Sequence, residues 1–157
     1  MARLPGGSRT DPSRRRLLAL TIIFGLDRGG GGQIDTHRIN VDGSGLMRLT
    51  DVPGDDSGAR WSRDGSQIVF WSDREGGGIY LMDPDGANQR RIHADELHLD
   101  TAAIAWSPDD EQLVWTGKYE GGGGSEVFVM NSDGTDLRQI ADRLAGRSSV
   151  DWHPGSE

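Results

Sequence analysis

Short apolar runs punctuate the chain: LTIIFGL from residue 20, IVFW from 68, IYLM from 79, AAIAW from 102, LVW from 113 and VFVM from 127. Glycine, aspartate, serine and asparagine bound them, and they are too short and too glycine-bounded for helices. Val, Ile, Phe, Tyr and Trp dominate, which favours strands. Several runs are apolar at consecutive rather than alternate positions. A strand written that way has both faces covered.

The runs recur in a fixed order. SGARWSRDGSQIVFWSDREGGGIYLMDPDGANQRRI occupies residues 57–92, and AAIAWSPDDEQLVWTGKYEGGGGSEVFVMNSDGTDLRQI occupies 102–140. Trp61, Trp106 and Trp152 stand 45 and 46 residues apart; Gly43, Gly86 and Gly134, each after an aspartate, stand 43 and 48 apart. An earlier partial copy fills residues 20–50, and SSVDWHPGSE opens another. In each copy a segment ending in Trp-Ser or Trp-His leads through a polar turn (SRDGSQ, SPDDEQ) to an apolar run. A glycine-rich connection, a second apolar run, a DPDG or NSDG turn and a short segment (MRLT, RRIH, RQIA) follow. That is four strands per unit of about 45 residues, the period of a β-propeller blade, whose sheets lie sandwiched between neighbours. The expected fold is all-β, with blades of four antiparallel strands.

These units resemble the WD40-like β-propeller repeats of the TolB family. The hallmark is a Trp-Ser-Pro-Asp-Gly turn, an apolar strand, a Ser-Asp-Arg-Asp-Gly loop and Ile-Tyr-x-Met-x-x-Asp-Gly. One copy reads WSRDG, IVF, SDREGGG and IYLMDPDG; the next reads WSPDD, LVW, GKYEGGGG and VFVMNSDG. The resemblance covers residues 20–154. The departures are Asp110 in place of glycine, Arg63 in place of proline, and HRIN at 37–40 in place of IYVM. The resemblance implies a six-bladed ring.

Strand counting gives about three blades: an incomplete one over 17–51, full ones over 57–93 and 102–141, and the start of another over 148–157, with an inner strand expected at 148–152. Propellers have four to eight blades, so this ring is incomplete. Three states fit the count: a piece of a longer propeller, a half-ring whose homodimer completes six blades by exchanging that inner strand, or a poorly folded remnant.

Composition narrows the partners. The chain has 157 residues and a net charge of −8. Residues 1–16 hold five arginines against one aspartate, a basic leader expected to be disordered. The remainder carries twelve basic and twenty-four acidic side chains, a net charge of −12. Such a surface repels a phosphate backbone, which argues against nucleic acid as a partner. Cysteine is absent, which excludes disulfides, thiolate metal sites and a cysteine nucleophile. RRRLLALTIIFGL opens at Arg14 and closes at Leu26. It fits either a buried strand over 17–24 behind a basic leader or an export signal, with SRRRLL resembling a twin-arginine motif. It is too short to span a bilayer, so no membrane insertion is expected.

Candidate chemistry resolves mostly into turns. Asp83, Asp85 and Asn88 lack the alternating spacing and closing glutamate of a calcium loop, and aspartate before glycine suits an Asx turn. The glycine runs at 29–32, 76–78 and 121–124 lack the Gly-Lys-Ser/Thr of a phosphate loop and read as hairpin connections. His37, His93, His98 and His153 read as solvated loop residues, because the five-residue spacing in HADELH does not fit a metal helix. Ser44 lies in a turn, and no G-x-S-x-G is present. Trp61, Trp71, Trp106, Trp115 and Trp152 read as packing residues, and Arg90 and Arg91 as a solvated edge. No catalytic, cofactor or metal residue is expected, and no cofactor.

The expected function is a non-catalytic scaffold that binds a protein or peptide, as the TolB resemblance implies, in the periplasm or another extracytoplasmic space. If the segment from Arg14 is only a strand, a cytoplasmic location fits instead. Similar repeats also form the propeller of prolyl-oligopeptidase-type serine peptidases, which gives a second expectation: part of such an enzyme without its hydrolase domain.

Overall fold

The computed structural model describes residues 20–27, 29, 32–94, 104–117, 125–144 and 149–153. They form three antiparallel sheets. The first holds β1 (Thr21–Asp27), β2 (Ile34–Asn40) and β3 (Met47–Arg48). The second holds β4 (Asp56–Trp61), β5 (Ile68–Ser72), β6 (Gly78–Met82) and β7 (Arg90–Ala94); a single 3₁₀ turn, Arg74–Gly76, joins β5 to β6. The third holds β8 (Ile104–Trp106), β9 (Gln112–Gly117), β10 (Ser125–Asn131) and β11 (Arg138–Leu144). Each sheet is a meander in chain order, the layout of a propeller blade. The all-β, blade-wise architecture expected from the repeat is what the chain forms, and the described residues close no ring.

The consecutive apolar runs are explained by two cores that share the middle sheet. Ile68, Phe70, Tyr80 and Met82 face the first sheet, where Leu49 and Ile23 meet them. Val69, Ile79 and Leu81 face the third, where Leu113, Trp115, Phe128 and Met130 meet them. Alternate residues of β5 and β6 therefore point into different cores, so every position from Gly78 to Met82 is buried. Full burial of one such side chain contributes about 1.5–3 kcal/mol.

The sheets are also held at their Asp-Gly turns. Gly86 and Gly134 adopt φ of 86° and 94°. A Cβ on Gly86 would press on the Leu49 backbone of the sheet before it, and one on Gly134 on the Ile92 carbonyl. Glycine is thus needed twice at each turn, for its left-handed backbone and for the close approach.

Three expectations are corrected. Among the described residues the first apolar run forms a strand over Thr21–Asp27, which runs past the expected end at 24, and it is not buried: Ile22 is 50% and Leu26 49% exposed; residues 17–19 lie outside the described residues. The strand's outer face has no sheet against it among the described residues. No strand forms at 149–152, within the inner strand expected at 148–152; among the described residues no strand pairs with this segment. His37 and His93 are not solvated loop residues. His37 belongs to β2 and His93 to β7, both half-buried, with the His93 ring 5.6 Å from that of Trp115. The leader at 1–16, His98 and the glycines at 121–124 lie outside the described residues.

Candidate functional site

β4 and β8 begin their sheets and lie side by side, each with one free edge. Between them and residues 149–152 runs a groove of about 570 Å³, lined by Arg60, Trp61, Arg63, Trp106, Pro108 and Trp152 among others. The indole Nε1 of Trp106 donates to the Arg60 carbonyl at 3.2 Å, and that of Trp152 to the Ala105 carbonyl at 3.4 Å. Each contact crosses one repeat. Residues 149–153 thus follow β8 as β8 follows β4, although no ladder forms there. Of the five tryptophans, Trp115 is the one at the centre of a core, 1% exposed; the groove tryptophans are half-buried.

The turns after β4 and β8 are built alike. Ser62 donates its hydroxyl to Asp64 and accepts from the Gln67 amide; Ser107 does the same with Asp109 and Gln112. Asp110 takes φ of 61°, where Gly65 takes 73° in the preceding blade. Its carboxylate accepts from the amides of Arg63 at 2.7 Å and Asp64 at 3.0 Å, and Arg63 Nη1 donates to the Pro108 carbonyl at 3.3 Å. Two of the three departures from the repeat pattern, Arg63 and Asp110, are therefore partners. A proline at 63 would have no N–H to offer.

The remaining aspartates of the repeat serve their own turns. Asp85 accepts from the Ala87 amide at 3.0 Å, and Asp83 from the Asn88 side chain at 2.6 Å. The Ser44 hydroxyl and amide hold the Asp42 carboxyl below the usual range, and those of Thr135 do the same for Asp133. Asp64 is lowered by the Ser66 amide and hydroxyl and by the Ser62 hydroxyl. Asp109 is lowered by the Ser107 hydroxyl and the Glu111 amide. Among the described residues no three His, Asp or Glu side chains converge as a metal site. His37 stacks on Phe24, His153 is exposed, and Ser44 is held in its turn by Asp42. Arg90 and Arg91 are exposed on β7.

Sequence reasoning passed over one polar cluster. Arg74 lies over the rings of Phe70 and Tyr80, with its Cζ 5.2 and 4.7 Å from their centroids. It donates to the fully buried Asp56 at 2.8 Å, to Ser72 at 2.7 Å and to Gln89 at 2.8 Å. The SDREGGG loop contained the arginine, but Asp56 recurs in no other copy, so no pattern marked it.

No family model matches the chain. Among solved structures it is similar to a putative TolB from Agrobacterium tumefaciens, at 22% identity and a TM-score of 0.68 over 76% of this chain and 44% of that one. It is similar to TolB from Acinetobacter baumannii at 16% identity and 0.73, over 87% of this chain and 34% of that one. A puromycin-hydrolyzing peptidase from Mycobacterium tuberculosis matches at 14% and 0.55, over 77% of this chain and 19% of that one. The chain thus spans less than half the length of each. At such identities the likeness is one of fold, and it establishes that these sheets are TolB-like β-propeller blades.

Proposed function

We propose that the chain is a non-catalytic propeller scaffold that takes a protein or peptide partner in the inner-strand groove, outside the cytoplasm. The observation that carries this is the lining of the groove: Trp61, Trp106 and Trp152 with Arg60 and Arg63 at its rim. Tryptophan and arginine are the side chains that dominate protein-binding hot spots. Rigid rings present apolar area with little entropy to lose, and an arginine guanidinium is a planar fork whose geometry matches a carboxylate. The likeness to two TolB structures supports the same reading. No helix of the described residues is long and apolar enough to cross a membrane.

Selection of a random peptide library on the immobilised chain tests this. Enriched peptides should shift tryptophan emission and should bind at least tenfold more weakly to Arg60→Ala. A library that yields no binder, or binders indifferent to Arg60, would sink the groove as the site.

The likeness to the puromycin-hydrolyzing peptidase favours one second reading, the propeller of a prolyl-oligopeptidase-type enzyme. A hydrolase domain with G-x-S-x-G encoded in the same reading frame would establish it.

A further inference from the structure

Two contacts repeat from blade to blade, and the first sheet leaves both open. Each inner-strand indole donates to the carbonyl one residue before the tryptophan of the preceding inner strand, as Trp106 does to Arg60 and Trp152 to Ala105. Trp61 holds the same place in β4, yet its Nε1 is buried with no acceptor among the described residues. Each Asp-Gly turn also sits on the last strand of the preceding sheet, Gly86 on Leu49 and Gly134 on Ile92. Gly43 has nothing within 4 Å among the described residues.

The other end of the chain carries the unmatched counterparts. Leu49 of MRLT and Ile92 of RRIH recur as Ile140 of RQIA, which is 58% exposed. The carbonyls of Arg60 and Ala105 recur as that of Asp151, next to a Trp152 already seated on β8. Among the described residues β1 pairs along one edge only and exposes Ile22 and Leu26, with Leu20 exposed just before it.

Register links the two ends. Trp61 lies opposite Ile68 and Trp106 opposite Leu113. Ile68, Leu113 and Ile22 are equivalent, facing Met82, Met130 and Ile39 before the Asp-Gly turns. Trp152 therefore belongs opposite an Ile22. The chain's own leader does not supply the tryptophan: it precedes Ile68 and Leu113 by seven residues, and the same step back from Ile22 reaches Arg15.

We propose that a second copy of this chain closes these ends. Residues 149–152 of one copy add to the free edge of β1 in the other, antiparallel, with Trp152 opposite Ile22. The Asp151 carbonyl of one copy accepts from the Trp61 indole of the other, and the turn at 40–43 covers Ile140. Made twice about a two-fold axis, this junction gives two copies of three blades and a closed six-bladed ring. A second copy is the fitting occupant because both halves of one repeat contact stand at opposite ends of the same chain. The inference stands on blade geometry and is independent of what the groove binds.

Light scattering on the purified chain should give a particle of about 34 kDa, twice the 17.0 kDa of one chain. Ile140→Glu and Ile22→Lys alter side chains exposed in the single copy, so each should halve that mass and leave the circular dichroism unchanged. Because the chain has no cysteine, the junction can also be mapped. Ile22→Cys copies mixed with Trp152→Cys copies and oxidised should link position 22 to position 152. A single-chain mass for the unaltered protein across a wide range of concentration overturns the proposal. So does a dimer that both charged substitutions leave intact, or a mixture in which only like copies cross-link. If a charged variant loses its circular dichroism, the cross-link decides.

Discussion

Asp110 stands four residues after its inner-strand tryptophan, where the preceding blade has Gly65. A non-glycine residue at φ 61° costs roughly 1–2 kcal/mol, and two charge-assisted bonds to the amides of Arg63 and Asp64 offset it. Asp110→Ala keeps the backbone cost and loses both bonds, so urea unfolding should show a loss of about 1–2 kcal/mol. Arg63→Pro removes one donor, and Pro108 shows that the equivalent position accepts proline. In the Arg63→Pro background, Asp110→Ala should therefore cost less, with a coupling of about 0.5–1.5 kcal/mol. Additive losses would refute the partnership.

The other turn aspartates predict an acid limb. Asp42, Asp64, Asp109 and Asp133 all titrate below their usual value of about 3.9 because hydroxyls and amides bond the carboxylate. A depressed folded value means the contribution is complete above about pH 4 and is lost as pH falls through the folded values below it. Unfolding midpoints should be flat just above pH 4 and fall beneath it. A midpoint that rises on acidification would contradict these turns.

Among the strands, Trp115 and Trp106 separate two roles that the repeat writes with one letter. Trp115 lies at the centre of the core between the second and third sheets, and Trp106 packs on its margin with its indole bonded across to Arg60. Trp115→Ala should cost about 3–5 kcal/mol, mostly cavity. Trp106→Phe should cost about 0.5–1.5 kcal/mol, the net worth of the bond. Equal losses in thermal melts would show the two sites to be alike. The strands were legible because burial on both faces writes consecutive apolar residues, as in IVFW and IYLM. The Asp-Gly turns were legible because a left-handed residue needs glycine. The contacts between blades were not. Trp106 to Arg60 spans 46 residues and Arg63 to Asp110 spans 47, and nothing local marks either pair. His93 was misjudged for the same reason: its company, Trp115, comes from the next blade. The half-exposed face of β1 was hidden because a blade strand is written for two neighbours even where the described residues supply one.

At the scale of the whole molecule, stability is a chain of nearest-neighbour junctions, as in other repeat proteins. The middle sheet is covered on both faces, whereas the first exposes Ile22 and Leu26. The groove lies on the junction of the second and third sheets and on the one between the third sheet and residues 149–152, so what it binds and how the blades hold together are linked through the same tryptophans. The row of indoles also gives each junction its own spectroscopic address. Five tryptophans yield five indole N–H resonances, and the protons of Trp106 and Trp152 should lie downfield and exchange slowly, each reporting one blade boundary. In a single copy the Trp61 indole, like that of Trp115, has no acceptor among the described residues, and the Trp61 resonance should move towards those of Trp106 and Trp152 only when a carbonyl arrives. Followed during denaturation, these signals would tell in which order the blades part, without any added probe.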